Sequence, residues 1–358
     1  MKIIYVTESL GAGVLSIIVS LSNHFASSGH DVTVKFTRRN DTPKLEVLMS
    51  IFGNEVKLHD YGSGVKGLVS LAADSVKLSF NKSAVIHAHS TIAGVMVRAP
   101  KYIGKADNFF YSPHCYAFVR SDIRPLVRHL ALFLERILSR VGTTVAVSES
   151  ELKRASGLNK RPKVALIENG IELPKCPETR TGGEVLTVAM LGRIAEQKNP
   201  LAAAYVAGRL RGRASFVWIG DGKPENFRNQ LEKAGVYVTG WLDRDDIYDR
   251  LSSADVFLHL SKWEAMPVAL IEAQCLGLPA IVSDVDGNRD VVSHGETGWV
   301  VTSSDEAVHS LEKILLQPEI LGEMRKAALS SRSRYEVSGM VEKHRALYLR
   351  VAAPIESK

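Results

Sequence analysis

The sequence predicts an α/β protein made of two doubly wound parallel sheets that follow one another along the chain. Short apolar runs alternate with amphipathic stretches from end to end, the signature of parallel strands joined by crossover helices. The pattern restarts near Glu184, just past a Pro/Gly/polar stretch, Leu173–Gly183, with the composition of a linker. A chain of 358 residues also exceeds one usual core, since a domain takes about 150.

Taken in order, the expected strands of the first half are Ile3–Thr7, Asp31–Phe36, Val85–Ala88, Asn108–Ser112, Thr144–Val147 and Val164–Ile167. A helix over Val14–Ala26 ends at Ser28-Gly29-His30, where Gly29 suits the left-handed residue that closes a helix. Val185–Leu191 is the first strand of the second half, followed by Gly192 and a helix from Pro200. Further strands are expected at Ser215–Ile219, Val236–Thr239, Asp255–Leu258 and Ala280–Ser283. The domains are therefore 1–172 and 173–334. A last helix within 335–358, centred on Met340–Val351, is expected to cross back to the first domain. Ligands of such sheets sit at the carboxyl ends of the strands where strand order reverses, and two facing domains would share one cleft.

Composition narrows the class. Hydrophobic residues are 45% and charged ones 23%, which excludes a disordered or collagen-like chain. The net charge of +6 is uneven: residues 1–172 carry 22 Lys+Arg against 14 Asp+Glu, the remainder 23 against 25. A basic first half suggests an anionic partner, whether nucleic acid, phosphorylated lipid or a membrane surface, although plain solubility charge gives the same sum. Cys115, Cys176 and Cys275 are too few and too scattered for a disulfide framework or a structural zinc site. The start, Met1–Val6, reads as a strand and not a signal peptide, and no run of about 18 apolar residues spans a membrane. These features lead us to expect a cytoplasmic protein, or one lying on a membrane from the cytosolic side.

Two stretches carry chemistry. In Ser261-Lys262-Trp263-Glu264-Ala265-Met266-Pro267-Val268 a strand ends, and Pro267 suits the first turn of a helix that Gly277 and Pro279 stop. Glu264 then lies in the strand-to-helix loop and Glu272 about a turn and a half into the helix. Two such carboxylates can reach different hydroxyl-bearing parts of one ligand, with the free N–H groups of the helix start serving a phosphate. A bare pair of solvated glutamates would look the same. In Leu191-Gly192-Arg193-Ile194-Ala195-Glu196-Gln197-Lys198, Gly192 lets backbone approach a ligand, and Arg193 and Lys198 are placed to neutralise a diphosphate. An ordinary basic loop is the plainer alternative.

Glu264-x7-Glu272, Gly192-Arg193…Lys198 and Gly277-x-Pro279, continued in Ile219-Gly220-Asp221-Gly222, Gly240-Trp241-Leu242 and Gly295-Glu296-Thr297-Gly298, resemble the retaining glycosyltransferases of the GT-B fold, family 4 (group 1). The resemblance implies a hexosyltransferase with a nucleotide-sugar donor, a UDP-sugar above all. It makes Arg193 and Lys198 the clamp on the donor diphosphate, Glu264 a contact of the donor sugar and Glu272 the partner of the ribose. The backbone near Leu242 would meet the base, and Gly192, Met266, Pro267 and Val268 would line the donor. Two motifs depart from the family pattern around the sugar: Glu264-Ala265-Met266-Pro267 and Asp286-Gly287-Asn288-Arg289-Asp290.

The first half matches less tightly. Gly11-Ala12-Gly13 resembles the family's glycine loop, with Gly13 near the donor phosphate, though it is a poor dinucleotide fingerprint. Tyr111-Ser112-Pro113-His114-Cys115 resembles a Pro-His-Gly segment of bacterial polysaccharide transferases, which makes His114 the active-site histidine. Asn169-Gly170-Ile171 resembles the family's Asn-Gly hinge. His87-Ala88-His89 ends another strand; read as alternating, only one of its histidines can face the cleft, and with no third ligand in view it is not a metal site. Residues 120–140 combine five arginines with an apolar stripe that suits either lipid or the protein's own sheet.

The resemblance thus implies a retaining transfer to a lipid-linked saccharide in bacterial cell-surface polysaccharide synthesis, with peripheral contact to an anionic membrane. It implies neither a metal nor a cofactor, and no nucleic-acid signature accompanies the basic charge. Asp284-Val285-Asp286 is not required as a metal motif. A GT-B sugar-nucleotide epimerase or a non-catalytic binding partner would keep the same fold.

Overall fold

Strand β1 (Lys2–Thr7) is buried at all but its first residue, as expected for a strand at the centre of a parallel sheet covered on both faces. In the computed structural model, which describes residues 1–39, 41–102, 108–176 and 185–352, the chain divides into two units. Unit 1 comprises Met1–Ile171 and Val337–Lys358, and unit 2 comprises Glu172–Glu336. The linker stretch from residue 177 to 183 lies outside the described residues.

Unit 1 continues with α1 (Ala12–Ser27), β2 (Asp31–Arg38), α2 (Leu45–Ile51), β3 (Lys57–Ser63), α3 (Gly64–Ser79) and β4 (Ala84–His89). Then come α4 (Thr91–Lys101), β5 (Phe109–Ser112), α5 (Pro125–Leu138), β6 (Thr143–Ala146), α6 (Glu149–Ser156) and β7 (Val164–Leu166). The sheet order is β3-β2-β1-β4-β5-β6-β7, so direction along the sheet reverses at β1, with Thr7 opposite His89. Leu71, Leu78, Ala93, Val97, Phe109 and Tyr111 fill the core between the sheet and α3 and α4. Each large side chain so buried contributes about 1.5–3 kcal/mol.

Unit 2 repeats the plan with β8 (Leu186–Leu191), α7 (Pro200–Arg209), β9 (Ala214–Ile219), α8 (Glu225–Lys233), β10 (Val236–Val238) and α9 (Arg244–Ser252). It goes on through β11 (Val256–His259), α10 (Val268–Cys275), β12 (Ala280–Ser283), α11 (Asn288–Val291), β13 (Gly298–Val301), α12 (Ser304–Leu316) and α13 (Ile320–Ser330). Its order, β10-β9-β8-β11-β12-β13, reverses at β8. Val188, Met190, Val206, Leu210, Phe216 and Trp218 belong to its core.

The last helix, α14 (Val337–Ala352), belongs to unit 1 and packs on α1 and β4. The chain leaves unit 1 after Ile171 and re-enters at Val337, and these residues are joined by the Val337 N–H donating to the Ile171 carbonyl at 3.0 Å. No helix among the described residues is long and apolar enough to cross a membrane.

Three sequence expectations need correction. The edge strands β3 and β13 were not foreseen; β3 is half-exposed and poor in β-branched residues, and β13 has four residues and opens on a glycine. Helix α1 begins at Ala12, so Gly13 lies in its first turn and not in a loop. Pro267 is the extended residue that precedes α10, with φ −72° and ψ 117°, and the helix starts at Val268. Gly29, at φ +79°, does take the left-handed conformation that closes α1.

Candidate active site

In unit 2 the reversal of strand order makes β8 and β11 neighbours, so the loops that leave their carboxyl ends lie side by side. The loop after β8 is fixed by backbone packing that only glycine permits. Gly192, at φ +134°, donates its N–H to the Ile219 carbonyl at 3.0 Å and accepts the Trp218 indole N–H at 2.8 Å. A Cβ on Gly222 would stand 2.1 Å from the Ile194 carbonyl oxygen, and one on Gly220 2.4 Å from that of Gly192. The loop carries Arg193, half-buried, and then a 3-10 turn, Glu196–Lys198, that delivers Lys198.

The loop after β11 brings Glu264 to meet it. The Lys198 ammonium donates to Glu264 Oε1 at 2.7 Å, the Gln197 amide to Oε2 at 3.3 Å, and His259 Nε2 lies 3.3 Å from Oε1. Gln197 also donates to the Trp263 carbonyl at 3.2 Å and accepts the Lys262 N–H at 2.8 Å, which zips the loops together. Burial alone would push the Glu264 carboxyl up; the Lys198 charge and the His259 hydrogen bond outweigh it and hold the group down at about 2. Glu264 is thus a buried, ionised carboxylate and not a solvated loop residue.

Glu272 sits on α10 in a different environment. Burial pushes its carboxyl up to about 7, offset only in part by the Arg244 charge and the Tyr248 hydroxyl, which donates at 3.4 Å. Arg244 Nε in turn donates to Tyr248 at 2.9 Å. Met266 and Pro267 are buried just before α10, and Val268 is half-buried at its start. The loop after β12 presses on the same backbone, since a Cβ on Gly287 would lie 2.3 Å from the Ala265 carbonyl oxygen. Leu242, half-buried, occupies the loop between β10 and α9 beside the exposed Trp241. Asp284 and Asp286 are both bound by Arg289, each at 2.6 Å. Among the described residues no group of three or more His, Cys, Asp and Glu side chains is arranged to hold a metal ion.

The remaining site candidates lie in unit 1. Glu8, in the loop after β1, is buried; it accepts the Ala93 N–H at the start of α4 at 3.1 Å, the Ser90 hydroxyl, and Arg39 at 3.1 Å. His114 follows β5 with φ +48° and lies 2.8 Å from His89 through Nε2. Asn169 is buried, and the next residue donates its N–H to Met340 Sδ at 3.2 Å. The expectation that only one of His87 and His89 can face a given side is wrong. Residues two apart on a strand share a face, and their rings stack with centroids 4.2 Å apart.

Residues 120–140 depart from one of the two expectations: the apolar stripe of α5 does not pack on the protein's own sheet. The inner face of α5 holds Glu135, fully buried, to which Arg98 of α4 donates twice at 2.9 Å and Tyr111 once at 2.8 Å. The apolar stripe therefore points outward: Leu126 is 81% exposed and Phe133 59%, with Val127 and Leu130 beside them. Helix α3, which packs against the same α4, exposes Val65, Val69, Val76 and, just past its end, Phe80.

The structure thus gathers Lys198, Glu264 and the unforeseen His259 and Gln197 at one strand-order reversal. His114, Gly13 and Asn169 lie in the other unit. Position alone signalled His259, the last residue of a buried strand; Gln197 gave no signal.

A family model described as Glycosyl transferases group 1 matches residues 177–331, and one described as Glycosyltransferase Family 4 matches residues 11–175. A Klebsiella pneumoniae relative, described as an uncharacterized 41.2 kDa protein in the cps region, is 28% identical over 85% of this chain and 87% of its own. The UDP-Gal:alpha-D-GlcNAc-diphosphoundecaprenol alpha-1,3-galactosyltransferase of Escherichia coli is 29% identical over 67% of this chain and 68% of its own. Among solved structures, sucrose-phosphate synthase of Thermosynechococcus elongatus superposes with TM-score 0.82 at 16% identity, covering 98% of this chain and 99% of that one. Anabaena HepE in complex with UDP-glucose does so with TM-score 0.78 at 15% identity, covering 97% and 98%. At these identities the two structures speak for the fold alone.

Proposed function

We propose a catalytic role on the premise that this chain belongs to the glycosyltransferases of group 1 and family 4 and has the GT-B fold. It moves a hexose from a nucleotide-sugar to an acceptor hydroxyl, with retention at the anomeric carbon. The observation that carries this reading is the Lys198–Glu264 pair at the strand reversal of unit 2, with Arg193 on the same loop and Glu272 on the helix that follows. Arg193 and Lys198 stabilise charge on the departing diphosphate, an electrostatic task that requires no metal in this proposal. Glu264, ionised at any working pH, accepts hydrogen bonds from the sugar hydroxyls, while Glu272 receives the ribose and the backbone near Leu242 the base. Met266, Pro267 and Val268 present the start of α10 to the donor. The bond from anomeric carbon to phosphate oxygen breaks, the bond to the acceptor oxygen forms on the same face, and the acceptor proton passes to the departing phosphate.

A UDP donor and a lipid-linked saccharide acceptor in bacterial surface-polysaccharide assembly are supported by the name of the Escherichia coli relative. Thermal shift with UDP, GDP, ADP and dTDP tests the donor half: UDP is expected to raise Tm, because a ligand of the folded state stabilises it. No shift with any of the four would contradict it. Replacing Arg193 by Ala is expected to abolish nucleotide release, and near-normal turnover would remove it from the diphosphate clamp.

The Glu272 reading predicts a pH slope. A carboxyl near 7 must lose its proton before it accepts the ribose hydroxyls, so below pH 7 binding is coupled to deprotonation. Affinity for UDP-glucose should weaken about tenfold from pH 8 to pH 6 in titration calorimetry, the ratio that one group titrating near 7 gives. The Glu272→Gln variant should bind with no such slope; an equal slope in both proteins would contradict the assignment.

Work at the cytoplasmic face of a membrane is the part of this proposal supported by an outward apolar stripe on α5 flanked by exposed Arg124, Arg136 and Arg140. The sole acid of that helix, Glu135, is buried, and Lys66 and Lys77 flank the exposed stripe of α3. Apolar area with surrounding cations suits an anionic bilayer. The protein should float with phosphatidylglycerol vesicles at low salt, and Phe133→Asp should reduce flotation severalfold. Absence of binding at low salt would defeat this part of the proposal.

A further inference from the structure

One residue of unit 1 is placed so that it decides what His114 can do. Strand β4 ends in His87, Ala88 and His89, all buried, while β5 ends in Ser112 and leads into Pro113 and His114. His114 and Cys115 both have positive φ, +48° and +83°, a region that L-residues seldom occupy and that the surroundings must hold. Glu151 does so from α6: its Oε1 accepts the Cys115 N–H and its Oε2 the Val147 N–H, each at 3.0 Å. The imidazole of His114 is then set parallel to that of His89, with centroids 5.1 Å apart and planes 14° apart, and its Nε2 lies 2.8 Å from His89 Nδ1.

The His89 ring also stacks on that of His87, whose nitrogens are both engaged, Nδ1 with the Tyr348 hydroxyl at 2.6 Å and Nε2 with Ser112 Oγ at 3.0 Å. The second nitrogen of His89, Nε2, is buried and has no hydrogen-bond partner among the described residues. Burial keeps all three rings neutral, His114 pushed down to about 4 and the other two well below the ordinary histidine value. A neutral imidazole has one donor and one acceptor nitrogen, so one of the facing pair carries the proton and the other the lone pair. If His89 were protonated on Nε2, that N–H would be orphaned inside the protein, which is the rarer kind of unsatisfied group. With its proton on Nδ1, His89 donates to His114 Nε2 and leaves only a lone pair unshared. His114 must then carry its own proton on Nδ1.

We propose that His89 is a positioning residue that locks His114 as the Nδ1–H tautomer, so that His114 offers substrate an N–H donor and not a base. Its partner is an acceptor oxygen, on a sugar hydroxyl or on a phosphate, and no proton is moved. The functional half of the statement rests on the reading above that His114 touches substrate; the tautomer does not depend on it.

The test begins with long-range proton–nitrogen spectra of the full-length protein labelled with 15N-histidine at pH 7, assigned with His89→Phe and His114→Phe. The expected result is protonation on Nδ1 in both residues; protonation of His114 on Nε2 would overturn the proposal. In kinetics with the donor found by thermal shift, His89→Phe keeps the stacked ring but removes the donor, and should lower kcat/KM about tenfold, to the level of His114→Phe. The double variant should fall no further, because residues acting as one unit are non-additive. His89→Asn, whose amide can occupy the Nδ1 position as a donor, should restore most of the loss, which a packing role would not allow. Equal rates for wild type, His89→Phe and His89→Asn would overturn the positioning role. Full turnover in His114→Phe would instead remove His114 from the substrate site, while the spectra still decide the tautomer.

Discussion

Replacing Lys198 by Met should lower sugar transfer at least a hundredfold and destabilise the fold by about 3–5 kcal/mol, the usual range for losing a transition-state donor and for stripping a buried ion of its partner. Both effects have one geometric source. Lys198 reaches Glu264 at 2.7 Å, and its charge is the main force that keeps that carboxyl ionised against burial. Without it the carboxyl must either remain charged and unpaired or take up a proton and lose its value as an acceptor. The sign with pH follows. Glu264 is held below its ordinary 4.5, so its contribution to stability is complete above about pH 4.5 and is lost as pH falls toward 2. The gap in stability between wild type and Lys198→Met should therefore be widest at pH 7 and narrow below pH 4, as read by urea unfolding. The double variant Lys198→Met, Glu264→Gln should regain much of the stability and none of the activity. An unchanged gap across this range would show that the pair does not stabilise the fold through charge.

The second large effect is structural. Arg98→Met should cost about 3–5 kcal/mol, because it leaves the fully buried Glu135 carboxylate without its cation. Arg98 Nη2 donates to both oxygens of Glu135 at 2.9 Å, and its guanidinium carbon lies 3.7 Å from the centroid of the Tyr111 ring. This cluster joins α4, α5 and β5, and it sets which face of α5 turns inward. A fall in Tm of several degrees is expected, with partial recovery when Glu135 is also made Leu, since buried pairs are often replaceable by apolar groups. An Arg98→Met protein as stable as wild type would show that α5 is held by its apolar contacts alone.

These two clusters also show where sequence reading stops. Long, strongly apolar strands such as Ile3–Thr7 and Val185–Leu191 are legible because burial on both faces demands continuous hydrophobicity. The half-exposed edge strand β3 makes no such demand and leaves no continuous apolar run in the sequence. Gly192, Lys198 and Glu264 could be singled out by type and spacing, but not the bond between residues 66 positions apart that makes them one site. That bond exists because strand order reverses at β8, and periodicity carries no information about which strands become neighbours. The same holds for Arg98 and Glu135, which turn the stripe of α5 outward where the sequence left its direction open. The strand pattern around His87 and His89 is fully written in the sequence, since their separation of two residues puts both on one face.

The most direct test of the account is the product itself. The protein, incubated with the nucleotide-sugar that raises its Tm and with an undecaprenyl-diphosphate-linked saccharide, should yield a lipid heavier by one hexose. Proton NMR of the released glycan should show the new linkage with the same anomeric configuration as the donor. Nucleotide released with no glycosylated lipid would contradict transfer, and an inverted linkage would contradict retention.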